Sequence, residues 1–83
     1  MPLYFFDTDV GGDRLHDDEG LDLPDAAAAR DAAMGALPDT ARDKLGSGDR
    51  HTVTVRVREA SGTVVYSATL DLTGEWHVPQ TVT

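Results

Sequence analysis

An alternation of apolar and polar residues over positions 52–72 limits the fold of this chain more than any other feature. It predicts two strands, each with one face toward a core and one toward solvent. Ala60-Ser61-Gly62 lies between them and predicts the turn of a long antiparallel hairpin. Such a hairpin needs a second element to cover its apolar face. The apolar row is Val53, Val55 and Val57 before the turn and Val64, Tyr66, Ala68, Leu70 and Leu72 after it.

A helical stripe over residues 26–45 supplies that second element. Asp25 precedes the stripe and is the predicted N-cap, because its carboxylate can accept the first free backbone N–H groups. Pro38 interrupts the stripe, so we expect either a kink or a break into two helices. Gly46-Ser47-Gly48 then ends the helical segment. The stripe consists of Ala29, Ala33, Leu37, Ala41 and Leu45, with Met34 beside it.

The first 25 residues predict a smaller hairpin. Leu3-Tyr4-Phe5-Phe6 indicates a strand covered on both faces, and therefore an interior one. Gly11-Gly12 predicts a tight turn, and residues 14–17 a weak return strand. Asp18-Glu19-Gly20 is a second turn, after which Leu21 and Leu23 point inward.

These elements predict one α+β domain over residues 1–74, followed by a C-terminal tail over 75–83. The element order is β-β-α-β-β. We expect a four-stranded antiparallel sheet with one helix, kinked or broken at Pro38, on one face. The sequence leaves the strand order open.

Charge is concentrated at the N-terminal end. Residues 1–25 hold 8 acidic and 1 basic side chains, or −7 of the formal net charge of −8. This balance argues against nucleic acid and anionic membranes as partners.

Without cysteine the chain has no disulfide or thiolate metal site. We expect a cytoplasmic protein, because the N-terminus lacks the pattern of a signal peptide.

Several short motifs, in their order along the chain, resemble a family of short bacterial proteins of unknown function. They are the opening Tyr4-Phe5-Phe6-Asp7, the Asp18-Glu19-Gly20 turn, Leu23-Pro24-Asp25 before the helix, Ala36-Leu37-Pro38-Asp39, and Val55-Arg56-Val57-Arg58-Glu59. The resemblance covers roughly residues 3–73. It implies the fold and a tolerated proline at position 38, and it implies no activity or site residue.

The acidic hairpin is a candidate site for a divalent cation. Asp7, Asp9 and Asp18 partly match the spacing of a calcium loop, although Gly11 stands at the third ligand position and the flanking segments are strands rather than helices. Asp13 is the fourth candidate ligand. Crowded carboxylates repel one another unless a cation or a proton intervenes. The plain alternative is a solvated acidic hairpin.

Catalysis has little support in the sequence, and we expect neither an enzyme nor a cofactor. His16, His51 and His77 lack the spacing of metal ligands, and no Gly-x-Ser-x-Gly turn is present. A single helix on a single sheet also offers little depth for a substrate cleft.

The polar face of the long hairpin is the candidate interaction surface. Arg56 and Arg58 lie on it, and they can meet Asp17 and Glu19 of the acidic hairpin in a second copy. Exposed strand edges are another route to a partner. The sequence therefore favours a small acidic, non-enzymatic protein-interaction module that forms a homodimer. Cation binding is the alternative, and imitation of nucleic-acid phosphates by the carboxylate row is a third interpretation.

Overall fold

The computed structural model describes residues 1–44 and 46–80 and has six elements. They are β1 (Leu3–Val10), β2 (Asp13–Leu15), β3 (Leu21–Asp22), α1 (Ala26–Lys44), β4 (Arg50–Glu59) and β5 (Val64–Thr73). The expected α+β class is confirmed, with one helix and an antiparallel sheet. The sheet has five strands rather than four, because Leu21–Asp22 adds a two-residue strand.

The strand order is β2-β1-β4-β5, and β3 pairs with the same edge of β1 as β2 does. The interior position predicted for the aromatic first strand is therefore confirmed. β1 pairs with β4 from Tyr4↔Glu59 to Val10↔Val53. In this register Phe6 and Thr8 share the helix-covered face with Val57 and Val55, while Phe5 and Asp7 share the outer face with Arg58 and Arg56.

The core lies between α1 and the inner face of the sheet. α1 packs mainly over β4 and β5 and touches β1 much less. The alanine-rich stripe lets the helix approach the valine row of β4 closely. Leu45, the last predicted residue of the stripe, lies outside the described residues. The buried side chains in the described part of the chain are Tyr4, Ala29, Ala33, Leu37, Ala41, Val53, Val55 and Val57.

α1 begins after its predicted N-cap and continues through Pro38. The Asp25 carboxylate accepts the N–H of Ala28 at 2.9 Å, so the predicted N-cap is confirmed. α1 runs through Pro38 without a break, which decides against the alternative of two helices. Pro38 and Met34 are both exposed, so water can hydrate the carbonyl that lacks its helical partner. Leu37 and Ala41 pack on either side of this point and keep the helix on the sheet.

The C-terminal end of the described chain carries no regular structure. β5 ends at Thr73, and residues 74–80 form neither helix nor strand. The remainder of the predicted tail, 81–83, lies outside the described residues. Within the described ranges, no helix has the length and apolar character needed to cross a bilayer.

The turn before β3 requires a glycine for two separate reasons. Gly20 has a φ of +75°, a conformation that side chains disfavour. A Cβ built on it would also lie 2.8 Å from Leu3 Cδ2 and 2.9 Å from Phe5 Cε2. Gly12 has a φ of +96° with nothing within 4 Å of its virtual Cβ. Both glycines have a positive φ, but only Gly20 also lacks room for a Cβ. Comparing substitutions at the two positions therefore separates the cost of the positive φ from the cost of the steric clash.

We expect Gly20→Ala to destabilise the fold more than Gly12→Ala. Both variants pay the cost of a positive φ, roughly 1–2 kcal/mol. Only Gly20→Ala must also displace the Phe5 ring, which adds about 1–3 kcal/mol of overpacking. Urea unfolding of the two variants and the wild type measures the difference. Equal losses of unfolding free energy would show that the contact with Phe5 is readily relieved.

Candidate functional site

An ion pair between Asp7 and Arg58 lies on the outer face of the sheet. Arg58 Nε donates to Asp7 Oδ2 at 2.7 Å, and the two side chains are 18% and 28% exposed. The Arg58 guanidinium carbon lies 4.6 Å from the centroid of the Phe5 ring, which is the geometry of a cation–π contact. These residues come from the adjacent strands β1 and β4, where Phe5 pairs directly with Arg58. The outer face thus has its own small packed cluster.

Arg58 also holds the loop between β2 and β3. Its Nη2 donates to the backbone oxygen of Asp17 at 2.7 Å and lies 3.1 Å from His16 Nε2. The N–H of Asp17 in turn donates to Asp7 Oδ1 at 2.9 Å. One guanidinium and one carboxylate therefore fix both the backbone of the loop and the strand beneath it.

The Asp17 carboxylate takes the place of a missing piece of strand. β2 and β3 pair with opposite ends of β1 and leave Phe6 unpaired on that edge. Asp17 Oδ2 accepts the Phe6 N–H at 2.9 Å. Its Oδ1 accepts the N–H groups of Glu19 at 3.0 Å and Gly20 at 3.2 Å, which closes the turn. A single side chain thus satisfies three backbone donors.

The electrostatics of the cluster favour its charged state. The hydrogen bond from Arg58 lowers the pKa of Asp7, against a smaller opposing effect of burial. Partial burial pushes the pKa of Asp17 upward, but the three N–H donors outweigh it and leave the pKa below its usual value. Asp7 raises the pKa of Arg58. All three groups are therefore ionised at neutral pH.

The four aspartates of the predicted cation site have separate surroundings. Asp7 is bound to Arg58, and Asp9 accepts the Gly12 N–H and lies 3.6 Å from Arg14. Asp13 is exposed in β2, and Asp18 faces His16 at 3.4 Å. Among residues 1–44 and 46–80, no group of three or more His, Cys, Asp or Glu side chains is arranged to hold a metal. The cation site stays a prediction without geometric support in this part of the chain.

The four predicted interaction residues divide into two groups. Asp17 and Arg58 lie together in the cluster just described, within one chain. Glu19 is exposed and contributes only its backbone N–H to the turn. Arg56 is half-buried beside Asp7, Arg14 and His16, and it makes no ion pair with a side chain in the described ranges. Only Arg56 and Glu19 therefore remain available to a partner as charges.

β5 forms the opposite edge of the sheet, and no strand of the described residues pairs with its outer side. Gly74 donates to the Asp49 oxygen at 2.6 Å, and bonded pairs alternate along an antiparallel ladder. Counting from this pair, Leu72, Leu70 and Ala68 are the residues of β5 whose backbone groups bond to β4. Ser67, Thr69 and Asp71 consequently turn their backbone N–H and C=O groups away from β4. Within the described residues no strand lies beyond β5. The sequence signal for this edge is a ten-residue β-prone run with neither proline nor lysine.

An apolar hollow of about 180 Å³ opens between α1 and the β1 side of the sheet. It exists because α1 is centred over β4 and β5 and leaves the inner face of β1 partly uncovered. The hollow lacks converging charged groups, since its polar lining residues are threonines. Its other lining side chains include Phe6, Leu21, Ala32, Ala36, Leu37 and Val55.

A family model described as a domain of unknown function, DUF6894, matches residues 3–71. The chain belongs to the DUF6894 family. The match extends from the first residue of β1 into β5, so the DUF6894 domain contains both the Asp7–Asp17–Arg58 cluster and most of the free edge. No curated protein and no solved structure matches the chain.

We expect Asp17→Ala to cost about 1.5–3 kcal/mol of unfolding free energy, because the half-buried Phe6 N–H loses its partner. Asp17→Asn keeps the shape of the side chain but presents an NH₂ group to one set of the N–H donors. We expect it to lose less unfolding free energy than Asp17→Ala. Asp18→Ala is the matched control, since the Asp18 side chain is 84% exposed. Its effect is expected within about 0.5 kcal/mol. Equal effects of Asp17→Ala and Asp18→Ala in urea unfolding would contradict the capping role.

Acid should weaken the fold through the same two carboxylates. Since the pKa values of Asp7 and Asp17 are lowered in the folded state, their contribution is complete above the unfolded value of about 3.9. It is lost as the pH falls through the folded values. Unfolding free energy should therefore decline below about pH 4, and the decline should be shallower in Asp7→Asn. Urea titrations across this range provide the test, and an unchanged decline in Asp7→Asn would refute the assignment.

Proposed function

We propose that this DUF6894 protein is a non-enzymatic interaction module that binds an extended segment of a partner protein along the free edge of β5. The observation that carries the proposal is the contrast between the two edges of the sheet. Along the outer edge of β1, short strands and the Asp17 carboxylate occupy the backbone groups. Along β5, the outward groups of Ser67, Thr69 and Asp71 have no strand partner among the described residues.

From Tyr66 to Thr73 the free edge carries few of the devices with which proteins prevent strand addition, and the register shift that leaves Val65 as an extra residue lies near the start of β5. β5 has ten residues, and Asp71 is its only charged side chain. Proline and inward-pointing charges, which block edge pairing in other sheets, are absent from it. An added strand would gain backbone hydrogen bonds for affinity and alternate side-chain contacts for specificity. β5 thus has the properties of a template for an extended segment.

Charge limits the chemistry of the partner. The chain has a formal net charge of −8, so an acidic segment would be repelled at low salt. The inward-facing side chains of β5, Tyr66, Ala68 and Leu70, are half-buried and extend the apolar face to the edge of the sheet. We therefore expect a partner segment that alternates apolar and polar residues and carries little negative charge.

This route is favoured over pairing of the Arg56 and Arg58 face with the acidic hairpin of a second copy. Arg58 already satisfies an acidic residue of its own chain, Asp7, at 2.7 Å. Transferring it to another copy would exchange one ion pair for another and would also break its bond to the Asp17 carbonyl. The gain in free energy from such an exchange is small.

A peptide-display library tests the proposal, with extended random peptides selected on the wild-type protein. We expect enriched peptides to lose binding to Thr69→Pro, because proline removes the outward N–H and blocks the edge. The fold should persist, since that N–H does not bond to β4. Thr69→Ala is the matched control, because it loses only the hydroxyl contact with Thr54 at 3.1 Å.

Two results would count against strand addition at β5. One is the enrichment of peptides that bind Thr69→Pro as well as they bind wild type. The other is a library from which no peptide is enriched although the protein has the mass of a single chain, so that no second copy covers the edge. Urea unfolding confirms that Thr69→Pro is folded, and Ala68→Pro, which removes a bond to β4, should by contrast be strongly destabilised.

A further inference from the structure

Resting on the strand-addition function, we propose that the extended segment is β5 of a second copy of this chain. The two β5 strands pair antiparallel about a two-fold axis at Ala68 and form one continuous sheet. Isologous pairing of this kind closes the assembly at two chains. Both helices then lie on the same face of the joined sheet.

The distribution of charge among the described residues favours the β5 edge over the β1 edge for the close approach of two acidic copies. Asp13, Asp18, Glu19 and Asp22 all lie beyond the outer edge of β1, separated from β5 by two strands. Pairing through β5 places these two acidic groups at opposite ends of the joined sheet. Pairing through the β1 edge would bring them together and would be opposed by their repulsion.

The sequence of β5 complements itself in the register centred on Ala68. Tyr66 then faces Leu70 of the partner subunit, and Ala68 faces Ala68 of the partner subunit, on the apolar side. Ser67 and Thr69, whose backbone groups point outward, exchange the new hydrogen bonds. The two Asp71 carboxylates stay six residues apart along the strands, or about 20 Å. A register centred on Asp71 would bring these carboxylates face to face.

The exposed side of α1 favours a second copy of the chain, rather than an isolated peptide, as the partner of β5. Ala32 and Ala36 flank the buried stripe of α1 on the β1 side, where they line the apolar hollow. Met34 lies on the other flank, toward β5, and is 51% exposed. In the two-fold assembly this methionine and its symmetry mate approach the seam between the helices. A partner with its own helix would bury this apolar side chain.

Cross-linking tests the register directly, because the natural chain contains no cysteine. Ala68 forms a non-bonded pair across the seam, with Cα atoms about 4.5 Å apart, which suits a disulfide. We expect Ala68→Cys to form a disulfide-linked dimer in oxidised glutathione. Asp71→Cys is the matched control and should stay reduced, since its symmetry mate is about 20 Å away.

Light scattering after size-exclusion chromatography tests the assembly itself. We expect twice the 8.9 kDa chain mass, and a single-chain mass for Thr69→Pro. The dimer should persist or strengthen between ~50 mM and ~500 mM salt, because screening reduces the repulsion of like-charged copies. A dimer that dissociates in high salt would overturn the proposal in favour of charge pairing.

Other outcomes overturn the self-pairing without touching the strand-addition function. If library peptides bind the β5 edge while the mass stays at one chain, β5 accepts heterologous segments only. If Asp71→Cys cross-links as fast as Ala68→Cys, the two-fold axis does not lie at Ala68. If the peptides also fail to bind, the strand-addition function itself falls.

Discussion

The ion pair of Asp7 with Arg58 is the interaction on which the N-terminal third of this structure depends. The strand β1 has only short partners on its outer edge, and the loop between them must be held by side chains. Arg58 holds that loop through the Asp17 carbonyl, and Asp7 holds it through the Asp17 N–H. Once the loop is fixed, the Asp17 carboxylate can reach the Phe6 N–H that no strand covers. Three charged residues thus hold the stretch of β1, from Phe5 to Asp7, that has no strand partner on this edge.

The concentration of negative charge at the N-terminus follows from this arrangement in part. Asp7, Asp9, Asp17 and Asp25 accept backbone N–H groups or bind arginine within the chain. The remaining acidic side chains, including Asp13, Asp18 and Glu19, point to solvent along the same edge. Charges along a sheet edge prevent another chain from pairing there. Some residues of the acidic cluster therefore build the edge, a turn and the helix cap, and the others lie exposed along the edge and protect it.

Local sequence patterns predicted the helix and the long strands, but they could not predict which distant residues contact each other. The period-two alternation predicted β4 and β5, and the Asp25 N-cap and alanine stripe predicted α1. Whether the helix continues or breaks at Pro38 depends on the packing of Leu37 and Ala41 against the sheet, which local propensity does not contain. Likewise, the Asp7–Arg58 pair joins residues 51 positions apart, so both appeared in the sequence as free charges. The sequence consequently placed both residues among the candidate site residues without showing that they contact each other.

The two edges of the sheet differ in how their backbone groups are covered. One edge is closed by side chains and negative charge, and the other presents a long, nearly uncharged strand. A small domain gains little from leaving a β-prone edge unprotected, because such an edge invites aggregation. The same short chain uses several acidic residues to protect the other edge, so the means of protection are available to it. Within the described residues, this contrast between the two edges supports our proposal that a strand of a partner pairs with β5.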